Sequence, residues 1–338
     1  MKPVIVIESH IPYIKGVFDH CADVRYLAPE EISPAAVRDA DALVVRTRTR
    51  CDAALLDGSR CRVIATATIG TDHIDREYCR HRGIAVANAP GCNAPAVAQY
   101  VFASLAGLCR SGVLGVVGVG HVGRIVADWG RELGFEVLLN DPPRQFAGDS
   151  GDFYSLAEIA ERADVVTFHT PLVRDGSFPS YHLAGEEFFA SLKRRPVIVN
   201  AARGSVVDTG ALLGAMDSGR VGAAVIDCWE GEPAVSSALL ERASVATPHI
   251  AGYSVEGKRR ATAAAAMAVA GVLGLDVDVD QVGEPDYAGG ITWDAVVASY
   301  DPVADTDALR SCPGDFERLR NSYRFRHEVG YYSSSNIE

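Results

Sequence analysis

Three polar residues follow apolar runs in the second half of the chain, and together they could move a proton beside a bound carboxylate. Arg203 lies in Asn200-Ala201-Ala202-Arg203-Gly204, after the apolar run Val197–Val199. A planar guanidinium can hold a carboxylate by two parallel hydrogen bonds. Glu232 lies in Asp227-Cys228-Trp229-Glu230-Gly231-Glu232-Pro233, after Ala223–Ile226. His249 lies in Thr247-Pro248-His249-Ile250-Ala251-Gly252-Tyr253, after Val245–Ala246. A histidine with one ring nitrogen held by a carboxylate is a tuned general base whose imidazolium form is stabilised. Glu232 and His249 are the natural pair, and Glu230 is the competing carboxylate. Taken singly, each has an ordinary explanation: a surface ion pair for the arginine, a turn for the histidine after proline.

An upstream stretch makes the combination more telling. Val113–Val117 is a short β-branched run of the kind found in buried strands, and Gly118, Gly120 and Gly123 follow it as G-x-G-x-x-G. Ile125–Leu133 then has helical spacing, Gly134 closes it, and Phe135–Leu139 is a second apolar strand. In such a turn the first glycine allows the bend, the second a close approach to a pyrophosphate, and the third tight helix packing, with the phosphates at a helix N-terminus. The intervening His121 and Val122 belong to the same loop; His121 reads as a solvent-facing spacer rather than a catalyst. Asp141 lies 18 residues beyond Gly123, close to the roughly 20 expected of the carboxylate that takes ribose hydroxyls. A carboxylate there disfavours a 2′-phosphate, so the expected cofactor is NAD.

The elements that must position these residues alternate strand and helix, which implies parallel α/β sheets. Residues 1–92 carry candidate strands at Val4–Ile7, Val24–Leu27, Ala42–Val45, Val63–Thr66 and Ile84–Ala87, with polar ends at Arg46-Thr47-Arg48-Thr49 and Thr66-Ala67-Thr68. Ala94–Leu108 is a long apolar helix leading into the glycine motif. Residues 93–253 supply six strands that fit the doubly wound order 3-2-1-4-5-6. Gly118, Asp141, Thr170, Arg203, Asp227 and His249 each follow one of them, so all six should share one sheet edge. Ser254–Leu275 is a long helix that should return to the first domain, making that domain 1–92 with 254–275. The expected fold is therefore two doubly wound parallel-sheet domains, a flavodoxin-like substrate domain and a Rossmann NAD domain, with a small C-terminal α+β region at 276–338. That region opens on an acidic linker (Asp276, Asp278, Asp280, Glu284, Asp286), broken by Pro285 and Gly289-Gly290, and its tail Tyr331–Glu338 reads as disordered.

Bulk properties exclude several classes. The chain has 338 residues, enough for about two domains, and its 48% hydrophobic content supplies sizeable cores. A net charge of −12 argues against nucleic acid or an anionic membrane surface as partner. No run approaches a membrane span, and the N-terminus does not read as a signal peptide. Eight cysteines without a C-x-x-C pair read as the reduced thiols of a cytoplasmic protein, and no cluster has metal-ligand spacing.

These pieces resemble the D-2-hydroxyacid dehydrogenase family over nearly the whole chain. The resemblance is carried by Gly118-Val119-Gly120-His121-Val122-Gly123, Asp141, His169-Thr170-Pro171-Leu172, residues 200–208, 227–233 and 247–253. It implies that Arg203 binds the substrate carboxylate, that His249 takes the C2 hydroxyl proton, and that Glu232 orients His249. It further implies NAD contacts from Gly118, Gly120, His121, Val122, Gly123, Asp141, Thr170, Ala201, Ala202, Arg203, Asp227 and Gly252, and substrate contacts from Thr47, Thr68 and Tyr253. Asp227 could accept from the nicotinamide carboxamide or merely cap a turn. Residues 66–73, 89–94, 140–144 and 313–320 extend the likeness to members that act on a phosphorylated hydroxy acid and form homodimers. Against the family pattern, only Arg110-Ser111-Gly112 joins helix to strand, Thr47 stands where serine is common, and the C-terminal region is shortened. Arg46, Arg48, Arg318, Arg320 and Arg324 are the candidates for the phosphate. Other members, such as those acting on 3-phosphoglycerate, and a non-enzymatic NAD(H)-sensing protein of the same fold remain as alternatives.

Overall fold

A computed structural model describes residues 2–279 and 290–330. The linker residues Asp280, Glu284, Pro285, Asp286 and Gly289 and the tail from residue 331 lie outside them. The described chain forms two compact units, residues 2–93 with 255–279, and 94–254 with 290–330.

The first unit is built on β1 (Val4–Glu8), β2 (Asp23–Leu27), β3 (Ala42–Val45), β4 (Val63–Thr66) and β5 (Ala85–Ala87), in the order β2-β1-β3-β4-β5. All pairs are parallel, which gives the flavodoxin-like order 2-1-3-4-5. Successive side chains point to opposite faces. Ile5, Ile7, Val44 and Ala65 therefore pack on one side with Ala265, Ala266 and Val269 of the helix Val255–Leu273. Val6, Leu43, Val45 and Ile64 pack on the other with Leu55, Leu56 and Cys79. The return helix is thus part of this unit, and Gly274, at φ +68°, ends it.

The second unit holds β6 (Gly112–Val117), β7 (Phe135–Asn140), β8 (Val165–Phe168), β9 (Val197–Asn200), β10 (Ala223–Ile226) and β11 (Val245–Ala246), again all parallel. Their order is β11-β10-β9-β8-β6-β7. This corrects the expected assignment: β8 pairs with β6, not outside β7. The outer place is taken by Phe153, which makes a single parallel bridge to Leu139, with Tyr154 N donating to Leu139 O at 2.7 Å. Counting this one-residue strand as the third restores the order 3-2-1-4-5-6 and makes β11 a seventh. Gly151-Asp152-Phe153-Tyr154 is too short and polar for its sequence to announce a strand.

The helix after the glycine turn spans His121–Glu132, so it begins at the loop itself, four residues before its apolar spacing starts. Ala94–Leu105 is buried at all twelve positions. The described C-terminal residues are helical, at Trp293–Ser299, Pro302–Ser311 and Phe316–Asn321, with one isolated bridge between Ser254 and Arg326. They belong to the second unit: Val296 and Tyr300 join the core on one face of its sheet, Leu309 and Phe316 the core on the other. Among the described residues no helix is long and apolar enough to cross a membrane.

Candidate active site

Because every strand of the second sheet is parallel, its carboxyl ends share one edge, and there the candidate residues collect. Gly118 follows β6 at φ +90°, and a Cβ on it would lie 2.8 Å from the His169 carbonyl carbon. A Cβ on Gly123 would lie 1.9 Å from Gly118 O. Both positions must be bare for the first helical turn to sit against the strand end. A Cβ on Gly120 would meet nothing within 4 Å, so the chain leaves space above the helix N-terminus, where a phosphate is favoured. His121, the first helical residue, is exposed, and Val122 half-buried.

Asp141 follows β7. Its carboxylate accepts from Val119 N at 2.8 Å and from Arg144 N at 3.1 Å, which ties it to the glycine loop while capping the short helix Pro142–Phe146. A carboxylate has about four acceptor sites, so ribose hydroxyls can still be accepted. Thr170 follows β8, and its Oγ1 is buried with no partner among the described residues. Beside it His169 bonds Thr167 Oγ1 at 2.9 Å, and burial pushes its pKa down to about 3, so it is neutral. A bare glycine cradle, an open helix end, a tethered acid and an orphaned hydroxyl on one edge fit a dinucleotide.

Asn200, to which the sequence analysis assigns no role, builds the arginine turn. Its Nδ2 donates to Arg203 O at 3.0 Å, Gly204 O at 3.3 Å and Cys228 O at 3.3 Å, and its Oδ1 accepts from Ala202 N at 3.2 Å. Gly204 is compelled by packing, since a Cβ there would lie 1.9 Å from Trp229 O. Arg203 Nη1 donates to its neighbour Ala202 O at 2.8 Å, while the side chain stays half-exposed at the edge.

The two remaining strand ends bring Glu232 and His249 together. His249 Nδ1 lies 2.9 Å from Glu232 Oε2, and Glu232 Oε1 accepts from Trp229 N at 2.7 Å. A carboxylate can only accept, so the proton is assigned to Nδ1, and Nε2 presents a lone pair. Burial pushes the Glu232 carboxyl up, but the hydrogen bond and charge of His249 outweigh it and hold it below the ordinary carboxylate range. Glu230 is engaged elsewhere: it meets His182 Nε2 at 2.6 Å and accepts from Thr209 N at 3.2 Å.

His249 sits at φ +57°, a costly conformation for a residue with a Cβ, and two buried groups hold it there. Asp227, 1% exposed, accepts from Thr247 Oγ1 at 2.7 Å, Ile250 N at 2.7 Å and Ala251 N at 3.0 Å. These contacts cap the turn, one of the two roles expected of Asp227. Burial raises its carboxyl above the usual value. From below, Arg326 donates to Ile250 O at 3.2 Å, Tyr253 O at 3.3 Å and Ala251 O, and to Ala96 O at 3.1 Å. Only its tertiary role marks Arg326; in sequence it is one arginine among several near the C-terminus.

Tyr253 packs edge-on against Tyr323 and Phe325, and its hydroxyl accepts from Arg320 Nε at 3.2 Å. Of the C-terminal arginines, Arg320 is turned inward at 22% exposure, whereas Arg318 pairs with Asp315 at the surface. Arg324 lines a cavity of about 420 Å³ with Pro248, Tyr300, Asp305 and Tyr323. In the first unit, Thr47 and Thr68 follow the adjacent strands β3 and β4. Thr68 Oγ1 bonds Thr66 Oγ1 at 2.7 Å and Gly70 O at 3.0 Å; Thr47 is exposed. Glu8, 1% exposed, shapes the Thr47 turn by accepting from Arg46 N at 2.9 Å and Thr49 Oγ1 at 3.2 Å.

Residues 104–251 match the family model for the D-isomer specific 2-hydroxyacid dehydrogenase NAD binding domain. The erythronate-4-phosphate dehydrogenase of Bacteroides fragilis is 46% identical over 341 residues, covering 97% of this chain and 98% of its own length. That of Escherichia coli is 40% identical over 346 residues, covering 96% and 92%. Among solved structures, D-lactate dehydrogenase from Aquifex aeolicus, complexed with NAD and lactic acid, shares the fold at a TM-score of 0.67 and 24% identity, covering 80% of this chain and 96% of its own. The chain belongs to the erythronate-4-phosphate dehydrogenases, NAD-dependent members of the D-isomer specific 2-hydroxyacid dehydrogenase family.

Proposed function

We propose that this dehydrogenase oxidises 4-phospho-D-erythronate at C2 to (R)-3-hydroxy-2-oxo-4-phosphooxybutanoate, in the biosynthesis of pyridoxal 5′-phosphate. The observation that carries the chemistry is the 2.9 Å contact between His249 and Glu232, on the same sheet edge as Arg203. The near-full-length likeness to relatives of that name supports the substrate.

Arg203 binds the substrate carboxylate through the guanidinium edge not bonded to Ala202. His249 Nε2 takes the C2 hydroxyl proton, and the imidazolium that forms is stabilised by Glu232 across Nδ1. NAD, when bound, supplies the acceptor for the hydride leaving C2; Gly118, Gly120, His121, Val122, Gly123, Asp141, Thr170, Ala201, Ala202, Arg203, Asp227 and Gly252 form its binding edge. Thr47, Thr68 and Tyr253 contact the substrate, and Arg320, joined to the Tyr253 hydroxyl, takes the phosphate. The chain works as a homodimer, with residues 276–338 as the dimerisation region. Steady-state NADH formation with 4-phospho-D-erythronate, 3-phosphoglycerate and D-lactate tests the substrate: the first should give the highest kcat/KM, and equal or higher kcat/KM for 3-phosphoglycerate overturns the choice.

A further inference from the structure

The strand-end turns that carry Glu232 and His249 also carry a thiol that the reaction does not use. One ligand atom each from Cys228, Glu232 and His249 lie within 4.8 Å of one another. Sulfur, carboxylate oxygen and imidazole nitrogen form a donor set suited to a borderline-soft divalent cation and poorly suited to Mg²⁺ or Ca²⁺. From Zn–S and Zn–N lengths of about 2.3 and 2.0 Å, tetrahedral ligand atoms stand about 3.5 Å apart. The His249–Glu232 pair at 2.9 Å must therefore open slightly, and the Cys228 sulfur must come in by about 1 Å. Its present partners are Ala202 O at 3.4 Å and Asp227 Oδ2 at 4.0 Å, weak thiol hydrogen bonds that yield readily.

We propose that Cys228, Glu232 and His249 form an inhibitory site for Zn²⁺, with water or a substrate oxygen as fourth ligand. Binding replaces the thiol proton, which leaves to solvent, and the metal is bound without change of oxidation state. The metal takes Nδ1, the ring nitrogen beside Glu232, so the ring proton shifts to Nε2 and the lone pair that accepts the substrate proton is lost. Cys228 is 2% exposed, so its ligand role is confined to ions that enter past His249 and Glu232.

The test titrates the purified dehydrogenase with Zn²⁺ at fixed NAD and substrate. The expected result is inhibition below roughly 100 μM Zn²⁺, reversed by EDTA and not reproduced by Mg²⁺. Cys228→Ser should keep the metal-free kcat and raise the half-inhibitory concentration by about tenfold or more. Co²⁺ added to the unmodified protein gives a second readout, independent of substrate and of variant folding. A near-ultraviolet thiolate-to-cobalt band should appear, and should persist in Cys312→Ser, which removes the exposed thiol. A variant Cys228→Ser as sensitive as the parent, an uninhibited parent, or no thiolate band each overturns the proposal.

Discussion

Replacing Glu232 by Gln isolates its charge from its shape. Glutamine retains one oxygen that can accept from His249 Nδ1, so ring orientation can survive while the negative charge disappears, but its NH2 then faces Trp229 N and that second hydrogen bond is lost. With Nδ1 and Oε2 at 2.9 Å, the centres of the two delocalised charges stand about 4 Å apart. At an effective dielectric of about 20 that separation is worth roughly 4 kcal/mol. The side chains are 27% and 21% exposed, and proton transfer is incomplete in the transition state, so about half of this should be felt. Roughly 2 kcal/mol corresponds to a loss of about 30-fold in kcat for 2-hydroxy acid oxidation. Initial rates of NADH formation at saturating substrate measure it, and a kcat within about threefold of the parent would refute the electrostatic argument. The same substitution has a stability signature. Glu232's carboxyl lies below its ordinary value in the folded protein. Its contribution is therefore present above the unfolded carboxylate pKa of about 4.3 and lost as pH falls through the depressed folded value. Urea midpoints at pH 7 and pH 4 should accordingly differ less in Glu232→Gln than in the parent.

Asp227→Ala strips the acceptor from three donors in a buried turn, and should lower stability by roughly 3 kcal/mol or more in urea unfolding while abolishing turnover. Gly123→Ala places a Cβ 1.9 Å from Gly118 O, so the loop must move; the KM for NAD should rise by at least about tenfold, with a smaller effect on the KM for the hydroxy acid. Arg320→Ala should raise the KM for 4-phospho-D-erythronate about tenfold or more while leaving that of an unphosphorylated 2-hydroxy acid within about twofold, since a charge-assisted contact is worth about 1.5–3 kcal/mol. Equal effects on both acids would assign Arg320 to the general support of Tyr253.

The parts of the site legible in sequence are those whose chemistry is local. Gly118, Gly120 and Gly123 signal a phosphate turn because each needs the absence of a Cβ within a few residues of a strand. Parallel strands follow from strand–helix alternation, and with them the shared edge of Arg203, Asp227 and His249. Glu232 is separable from Glu230 in the structure because Glu230 is held by His182, 48 residues upstream, a pairing no spacing announces. Asn200, Glu8 and Arg326 carry no sequence signal for a related reason: each shapes a turn through hydrogen bonds, mostly to backbone atoms, and such bonds leave no periodicity. Arg326 reaches carbonyls at Ala96 and Ile250, far away in sequence. Phe153 shows the opposite limit. A strand reduced to one bridge has no pattern to detect, and missing it shifted the identity of every strand counted after β7.

The most direct test of the central claim follows the hydrogen at C2. 4-Phospho-D-erythronate deuterated at C2 should pass its label to the cofactor, so that the NADH formed is one mass unit heavier, whereas the same acid deuterated at C3 should give unlabelled NADH. Deuterium retained in the organic product from the C2-labelled acid, or appearing in NADH from the C3-labelled one, would contradict oxidation at C2 by this site.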